Sequence, residues 1–408
     1  RILALTFTNK AAREMRQRIE RLAGASAEDA WIGTFHSICC RILRRDIEKL
    51  GYDRSFTIYD EDDQQRVIKA LLKEYDIDDK YLPPKAISAA ISDAKNRLMN
   101  PDEWLKGSPG DFRAQKTHDV MCGYESRLRA ANALDFDDLL MKTIQLFLDH
   151  PPVLQYYQER FQYVHVDEYQ DTNYAQYQLV RLLTRESRNL CVVGDDDQSI
   201  YKFRGAEVKN ILNFRKIFPD TTLIRLEKNY RSTAELLTLA DNVVRNNDGR
   251  LGKTLSAQRG SGKKPVLAFL PNQDEEAQFC ADLIEKTHEM GVPYQDWAIL
   301  YRTNAQSLGF ESEFLHRKIP YTVVGSLKFY EREEIKDVLA YLALLANPRD
   351  EIAFARVVNK PARGVGATTQ ARLVEAYRAD LAAWASGMSP DASGMLPDAS
   401  GMSPDASG

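Results

Sequence analysis

The segment Tyr163-Val164-His165-Val166-Asp167-Glu168-Tyr169-Gln170-Asp171 decides the fold. An apolar, β-branched run that stops at two acids reads as a strand delivering carboxylates to one edge of a sheet. At such a strand end Asp167 suits a Mg²⁺ ion, held directly or through water, and Glu168 suits orienting and deprotonating an attacking water. Two ordinary surface acids would look the same, so the pair gains weight only from what surrounds it. Downstream, a second apolar run over 190–194 ends in Asp195-Asp196-Asp197-Gln198-Ser199. Gln198, neutral and both donor and acceptor, suits sensing a terminal phosphate; the alternative is an acidic turn. Two strand ends of this kind place their residues on one sheet edge, where open α/β folds bind ligands.

Working outward, apolar runs at 2–7, 31–35 and 222–226 alternate with amphipathic helical patterns, the signature of a parallel sheet flanked by helices. The stretch 51–158 breaks that alternation and reads as successive helices interrupted at Pro83-Pro84, Asn100-Pro101 and 107–110. A second α/β set has strand candidates at 266–270, 297–301 and 321–324, with helices near 275–289, 305–317 and 332–345. After Asn347-Pro348 two more helices flank the turn 361–366. The expected organisation is therefore a first α/β domain over 1–50 and 159–225, a helical insertion over 51–158, a second α/β domain over 226–345 and the start of a helical domain over 346–385. The closing segment 386–408 repeats Ser-Gly-Met-Xaa-Pro-Asp-Ala three times; with Pro in every copy and no apolar seam it is expected to be disordered.

The 408 residues are enough for two or three cores, and 55 Lys+Arg against 59 Asp+Glu exclude a globally basic nucleic-acid binder. Any contact with nucleic acid must be local. The five cysteines are scattered without zinc or disulfide spacing, which fits a reducing, cytoplasmic compartment. No apolar stretch approaches the roughly 18 residues of a membrane span.

Two further groups carry chemistry. In Asn229-Tyr230-Arg231-Ser232-Thr233, Arg231 offers a permanently charged fork to a phosphate and Tyr230 a flat face to a base, although Arg and Tyr at a helix start are also common. Aromatics and cations interleave in Thr6-Phe7-Thr8-Asn9-Lys10, Gly33-Thr34-Phe35-His36-Ser37 and Ile200-Tyr201-Lys202-Phe203-Arg204-Gly205. Stacking rings beside phosphate-tracking cations is the chemistry of single-strand binding. Residues 1–57 support it with 11 Lys+Arg against 7 Asp+Glu. The bland alternative is core aromatics beside solvated charges, the better reading for Phe35 alone.

These blocks, in this order, resemble superfamily 1 DNA helicases of the UvrD/PcrA/Rep type, as do Leu300-Tyr301-Arg302-Thr303-Asn304-Ala305-Gln306-Ser307 and 323–337. The resemblance implies RecA-like P-loop NTPase domains of the α/β class with parallel sheets and helical insertions. It also implies an ATP- and Mg²⁺-dependent motor moving 3′ to 5′ along single-stranded DNA in repair or replication and opening single-strand/duplex junctions. On matching positions it gives Asp167 to Mg²⁺, Glu168 to the catalytic base, Gln198 to the γ-phosphate, Arg231 to an arginine finger and Tyr230 to the adenine. Phe7, Tyr201 and Phe203 would hold bases; Thr8, Asn9, His36, Arg204 and Arg302 would line the DNA path. Gly364 and Gly366 would belong to a turn that touches duplex backbone, since exposed amides at a helix start accept a phosphate.

The sequence departs from that family in places. Phe203 stands where Trp is usual and Ser326 where Gly is usual. The family's Walker A loop, which cradles the phosphates, precedes the first block seen here, and Gly252-Lys253-Thr254 only imitates its end. The expectation is of a truncated chain that also lacks the late motifs and is by itself inactive, at most a DNA-binding fragment. Alternatively, it is the motor part of a helicase-nuclease. Asp135-Phe136-Asp137-Asp138 resembles a metal cluster but reads as the start of a helix.

Overall fold

A computed structural model describes residues 1–24, 29–202, 205–247, 249–324 and 332–385. Phe203, Arg204, Ser326 and the repeat tail lie outside the described residues. The chain divides into two compact units: Arg1–Leu223 with Gly249–Leu251 and Asp337–Gly408, and Ile224–Asp248 with Gly252–Lys336.

In the first unit the strands are β1 (Ile2–Thr6), β2 (Trp31–Thr34), β3 (Thr57–Ile58), β4 (Ala133–Leu134), β5 (Tyr163–Val166) and β6 (Leu190–Val192). Four of them form a sheet of order β2-β1-β5-β6, parallel throughout. Leu3 stands opposite Val164, and Leu5 opposite Val166. These four side chains are buried on one face against the helices Phe35–Asp46, Phe136–Asp149 and Tyr174–Thr184, through Ile38, Ile42, Leu139 and Leu179. Each such side chain removed from water contributes about 1.5–3 kcal/mol. Phe35 is buried in the same core, the reading preferred for it when taken alone. The short β3 and β4 pair in parallel with each other.

The insertion is helical as expected, and its proline and glycine breaks fall between helices. Pro84 and Pro101 each open one, where the missing N–H costs nothing. Asn100 caps the second reciprocally with Glu103. The acidic run at 135–138 is likewise a helix start: Asp135 Oδ1 accepts the Asp138 amide at 2.8 Å and Asp138 Oδ2 accepts the Asp135 amide at 3.1 Å. Helices Glu351–Val357 and Ala367–Ala385 also belong to this unit. Asn347 ties the approach to the first of them onto the insertion, donating to the carbonyls of Ala131 at 2.8 Å and Asn132 at 3.2 Å.

The second unit holds β7 (Lys228–Asn229) and β8 (Ser256–Ala257), a parallel pair, and a small core of Ala277, Ala281, Ile284, Phe310 and Phe314 between the helices Gln273–Glu289 and Ser307–His316. Here one expectation is corrected. The runs 222–226, 266–270, 297–301 and 321–324 are not strands, and side chains such as Phe269, 88% exposed, and Leu300, 94% exposed, face water. Alternation supplies a strand's pattern, but a strand exists only where a neighbour takes its amides. Among the described residues of this unit the only ladder is β7 with β8.

Candidate nucleotide and nucleic-acid cleft

At the carboxyl edge of the four-stranded sheet lies a cleft of about 960 Å³. Its lining includes Phe7, Thr8, His36, Asp167, Glu168, Gln198 and Tyr201, so sequence blocks nearly 200 residues apart meet in one opening. The parallel topology is the cause. Every strand of the sheet ends on the same side, so the loops that follow β1, β2, β5 and β6 converge.

Each loop is held locally. After β1, Thr8 Oγ1 accepts the Ala11 amide at 3.1 Å, starting the helix Asn9–Ala23 and turning Phe7 against Phe35 at 5.6 Å between ring centroids. Asn9 is exposed on that helix's first turn. After β2, Thr34 Oγ1 caps Phe35–Asp46 through the Ser37 amide at 3.2 Å, and His36 packs edge-on to Phe136 at 6.0 Å. Burial pulls the His36 imidazole below its ordinary value, which favours a neutral ring.

After β5 the ladder runs one step further, the Asp167 amide donating to the Leu5 carbonyl at 2.9 Å. Glu168 then adopts φ 51°, ψ 42°, a left-handed conformation unusual for a side chain of this size. That turn keeps its carboxylate exposed to the cleft while Gln170 beneath it is 1% exposed. Gln170 Nε2 donates to Glu168 Oε2 at 2.8 Å, and its Oε1 accepts the Asp195 amide at 2.9 Å. After β6, Gln198 Nε2 donates to Asp195 Oδ2 at 2.7 Å. The same turn is gripped by Arg250, whose Nε and Nη2 reach the Asp197 carboxylate at 2.6 and 2.7 Å.

The acids are short of positive charge. Burial, then the charge of Glu168, raises the carboxyl of Asp171 to about 6, and burial raises that of Asp167 as well. Asp171 Oδ1 and Thr6 Oγ1 are both buried without a hydrogen-bond partner. Such a set fits a hard divalent cation. Among the described residues no group of three His, Cys, Asp or Glu side chains is placed to hold a metal ion by itself.

In the second unit, Asn229 Oδ1 accepts the amides of Arg231 at 3.0 Å and Ser232 at 2.9 Å, a turn that leaves Tyr230 71% exposed. Arg302 lies beside a capped turn in the same unit, its amide donating to Gln306 Oε1 at 3.0 Å. In the first unit Gly364 takes φ 69°, which favours glycine, and Gly366 opens the helix Ala367–Ala385 with its carbonyl accepting the Gln370 amide at 2.9 Å. Neither glycine belongs to the cleft lining. Phe203 and Arg204 lie outside the described residues.

Sequence reading missed Gln170 and the wall supplied by the insertion, where Ser92, Asn96 and Asp137 line the cleft. Asn96 Nδ2 donates to Asp137 Oδ1 at 3.1 Å, and Asn173 Nδ2 to Asn96 Oδ1 at 2.5 Å. Gln170 and Asp137 lie inside stretches quoted for other residues, and no local motif marks Ser92 or Asn96.

Comparison with known proteins adds an independent finding. Residues 1–219 match the UvrD/REP helicase N-terminal domain and residues 224–386 the UvrD-like helicase C-terminal domain. The chain is 51% identical over 369 residues to the ATP-dependent DNA helicase PcrA of Bacillus subtilis (strain 168), an alignment covering 90% of this chain and 50% of that protein. It is 50% identical over 365 residues to the protein of the same name from Staphylococcus aureus (strain Mu50 / ATCC 700699), with the same coverage. The chain thus spans about half the length of the curated relatives it matches.

Proposed function

The chain belongs to the UvrD/REP helicase family, and on that premise we propose that it serves an ATP-driven motor that moves 3′ to 5′ along single-stranded DNA and opens single-strand/duplex junctions during repair or replication, in the cytoplasm. The observation that carries this reading is the cleft whose lining joins two strand-end acids and Gln198 to Phe7 and Tyr201. Among the described residues no helix is long and apolar enough to cross a membrane.

In this reading Asp167 holds the Mg²⁺ of the nucleotide, with Thr6 and Asp171 as the neighbouring polar groups. When bound, that ion supplies charge neutralisation to the phosphates. Glu168 orients the attacking water and takes its proton. Gln198 hydrogen-bonds the γ-phosphate, Arg231 supplies a planar cation to it, and Tyr230 stacks on the adenine. Phe7, Tyr201 and Phe203 hold bases, with Thr8, Asn9, His36, Arg204 and Arg302 along the strand. Gly364 and Gly366 present backbone amides to duplex phosphate. The division into two RecA-like domains, over 1–50 with 159–225 and over 226–345, belongs to the same proposal, as do the helical insertion at 51–158 and the accessory helices from 346.

Directional unwinding by the full-length protein tests the reading: duplexes with a 3′ single-stranded tail should open with ATP and those with only a 5′ tail should not. Equal unwinding of both, or none of either, would sink it. Phe7→Ala and Tyr201→Ala should each weaken single-stranded DNA binding by about 1–3 kcal/mol, the worth of one stacked base. Fluorescence anisotropy on an oligothymidylate measures this. Unchanged affinity in both variants would remove the aromatics from the DNA path.

A further inference from the structure

We propose that Gln170 is a positioning residue that aims the Glu168 carboxylate and sets it in register with the turn carrying Gln198. The inference rests on the reading above, in which Glu168 acts on the attacking water.

Four observations point to it. The side chain is 1% exposed and meets the cleft only at its lining, so almost all of it is packed inside the protein. Both ends of its amide are used: Nε2 donates to Glu168 Oε2 at 2.8 Å and Oε1 accepts the Asp195 amide at 2.9 Å. Asp195 in turn accepts from Gln198 Nε2 at 2.7 Å, which completes a route from the base to the phosphate sensor. Finally, a Cβ at Gly194 would fall 2.7 Å from Gln170 Oε1 and 3.2 Å from the Tyr169 amide, so the close approach of the two loops requires glycine there.

The chemistry of the position is narrow. A primary amide can donate to a carboxylate on one side and accept a backbone N–H on the other, both at once. Glutamate has the same shape but no donor, and it would set two carboxylates against each other. Glu168 sits in a left-handed backbone conformation that side chains seldom adopt, so a hydrogen bond to its carboxylate selects one aim out of several for an exposed group. Loss of that bond should affect the step in which the water is activated more than the binding of either ligand.

The experiment uses the full-length protein and two variants, Gln170→Glu and the swap Glu168→Gln with Gln170→Glu. Gln170→Glu is expected to lower kcat for single-stranded-DNA-stimulated ATP hydrolysis at least tenfold, while KM for ATP and DNA affinity stay within about twofold. It should also lower Tm, and the swap should recover part of that loss, because the exchanged amide and carboxylate then face each other across the same gap with donor and acceptor reversed, while the weaker bond from Gln170 Nε2 to Asp171 Oδ2 at 3.5 Å stays lost. The swap remains without turnover, having no base. An unchanged kcat in Gln170→Glu would overturn the proposal. So would kcat and KM worsening together, which marks a structural residue only, or a Tm loss of which the swap recovers no part. Absence of ATP hydrolysis in the unmodified protein would overturn the functional reading instead, and the Tm comparison would still report whether the amide bridges the two loops.

Discussion

Glu168→Gln should lower the maximal rate of ATP hydrolysis by about 10²–10⁴-fold, the range of a lost general base. The substitution keeps the size of the side chain and its left-handed backbone but removes the group that takes the proton. Phe7 and Tyr201 stand elsewhere in the cleft lining, so single-stranded DNA affinity should stay within about twofold. Single-turnover hydrolysis and anisotropy, measured on the same preparation, separate the two effects. A variant that keeps more than about a tenth of the rate would show that the water is activated by another group. Asp171 is the neighbour to examine then, because its carboxyl lies at about 6 and its Oδ1 is buried without a partner.

The second large effect concerns stability. Lys95 is 4% exposed, and its ammonium lies 2.8 Å from Asp135, 2.9 Å from Asp138 and 2.8 Å from Glu125. Burial works against the charged amine, but the combined charge of Asp135, Asp138 and Glu125 outweighs it and holds the ammonium well above its ordinary value. Burial and the charge of Asp135 push the Asp138 carboxyl up to about 8. Lys95→Ala would leave buried acids without their cation, at a cost of about 3–5 kcal/mol. Urea denaturation of the variant measures this. Replacing the cluster by neutral groups of similar shape, Lys95→Met with Asp135→Asn and Asp138→Asn, should recover most of the loss, because the penalty belongs to unpaired charge and not to the pair. A loss below about 1 kcal/mol in Lys95→Ala would mean that water reaches these acids.

Part of this protein was legible from its residues. The apolar runs of β1, β2, β5 and β6 stand where their pattern put them, and all four pair in parallel. The insertion breaks where Pro84 and Pro101 disfavour a helical conformation in the residue before them. The acids at 135–138 read as the start of a helix because they resemble a family stretch without a catalytic role, and Asp135 and Asp138 do cap each other there. Asp167, Glu168 and Gln198 were found together because parallel strands end on one side. The same reasoning failed for 266–270 and 297–301, which carry the apolar pattern without a ladder in the second unit.

By itself, then, the sequence determined which elements form wherever the cause is local: apolar period, proline, and caps three residues apart. It also determined which side chains arrive at the sheet edge, since order along the chain and parallel pairing together place them. Only the tertiary structure decided which polar groups satisfy one another across the chain. Gln170 finds the Asp195 amide, Lys95 finds Asp135, and Asn347 finds the carbonyls of Ala131 and Asn132. The physical reason is that a buried donor takes whichever acceptor packing brings within about 3 Å, and no local period encodes that partner.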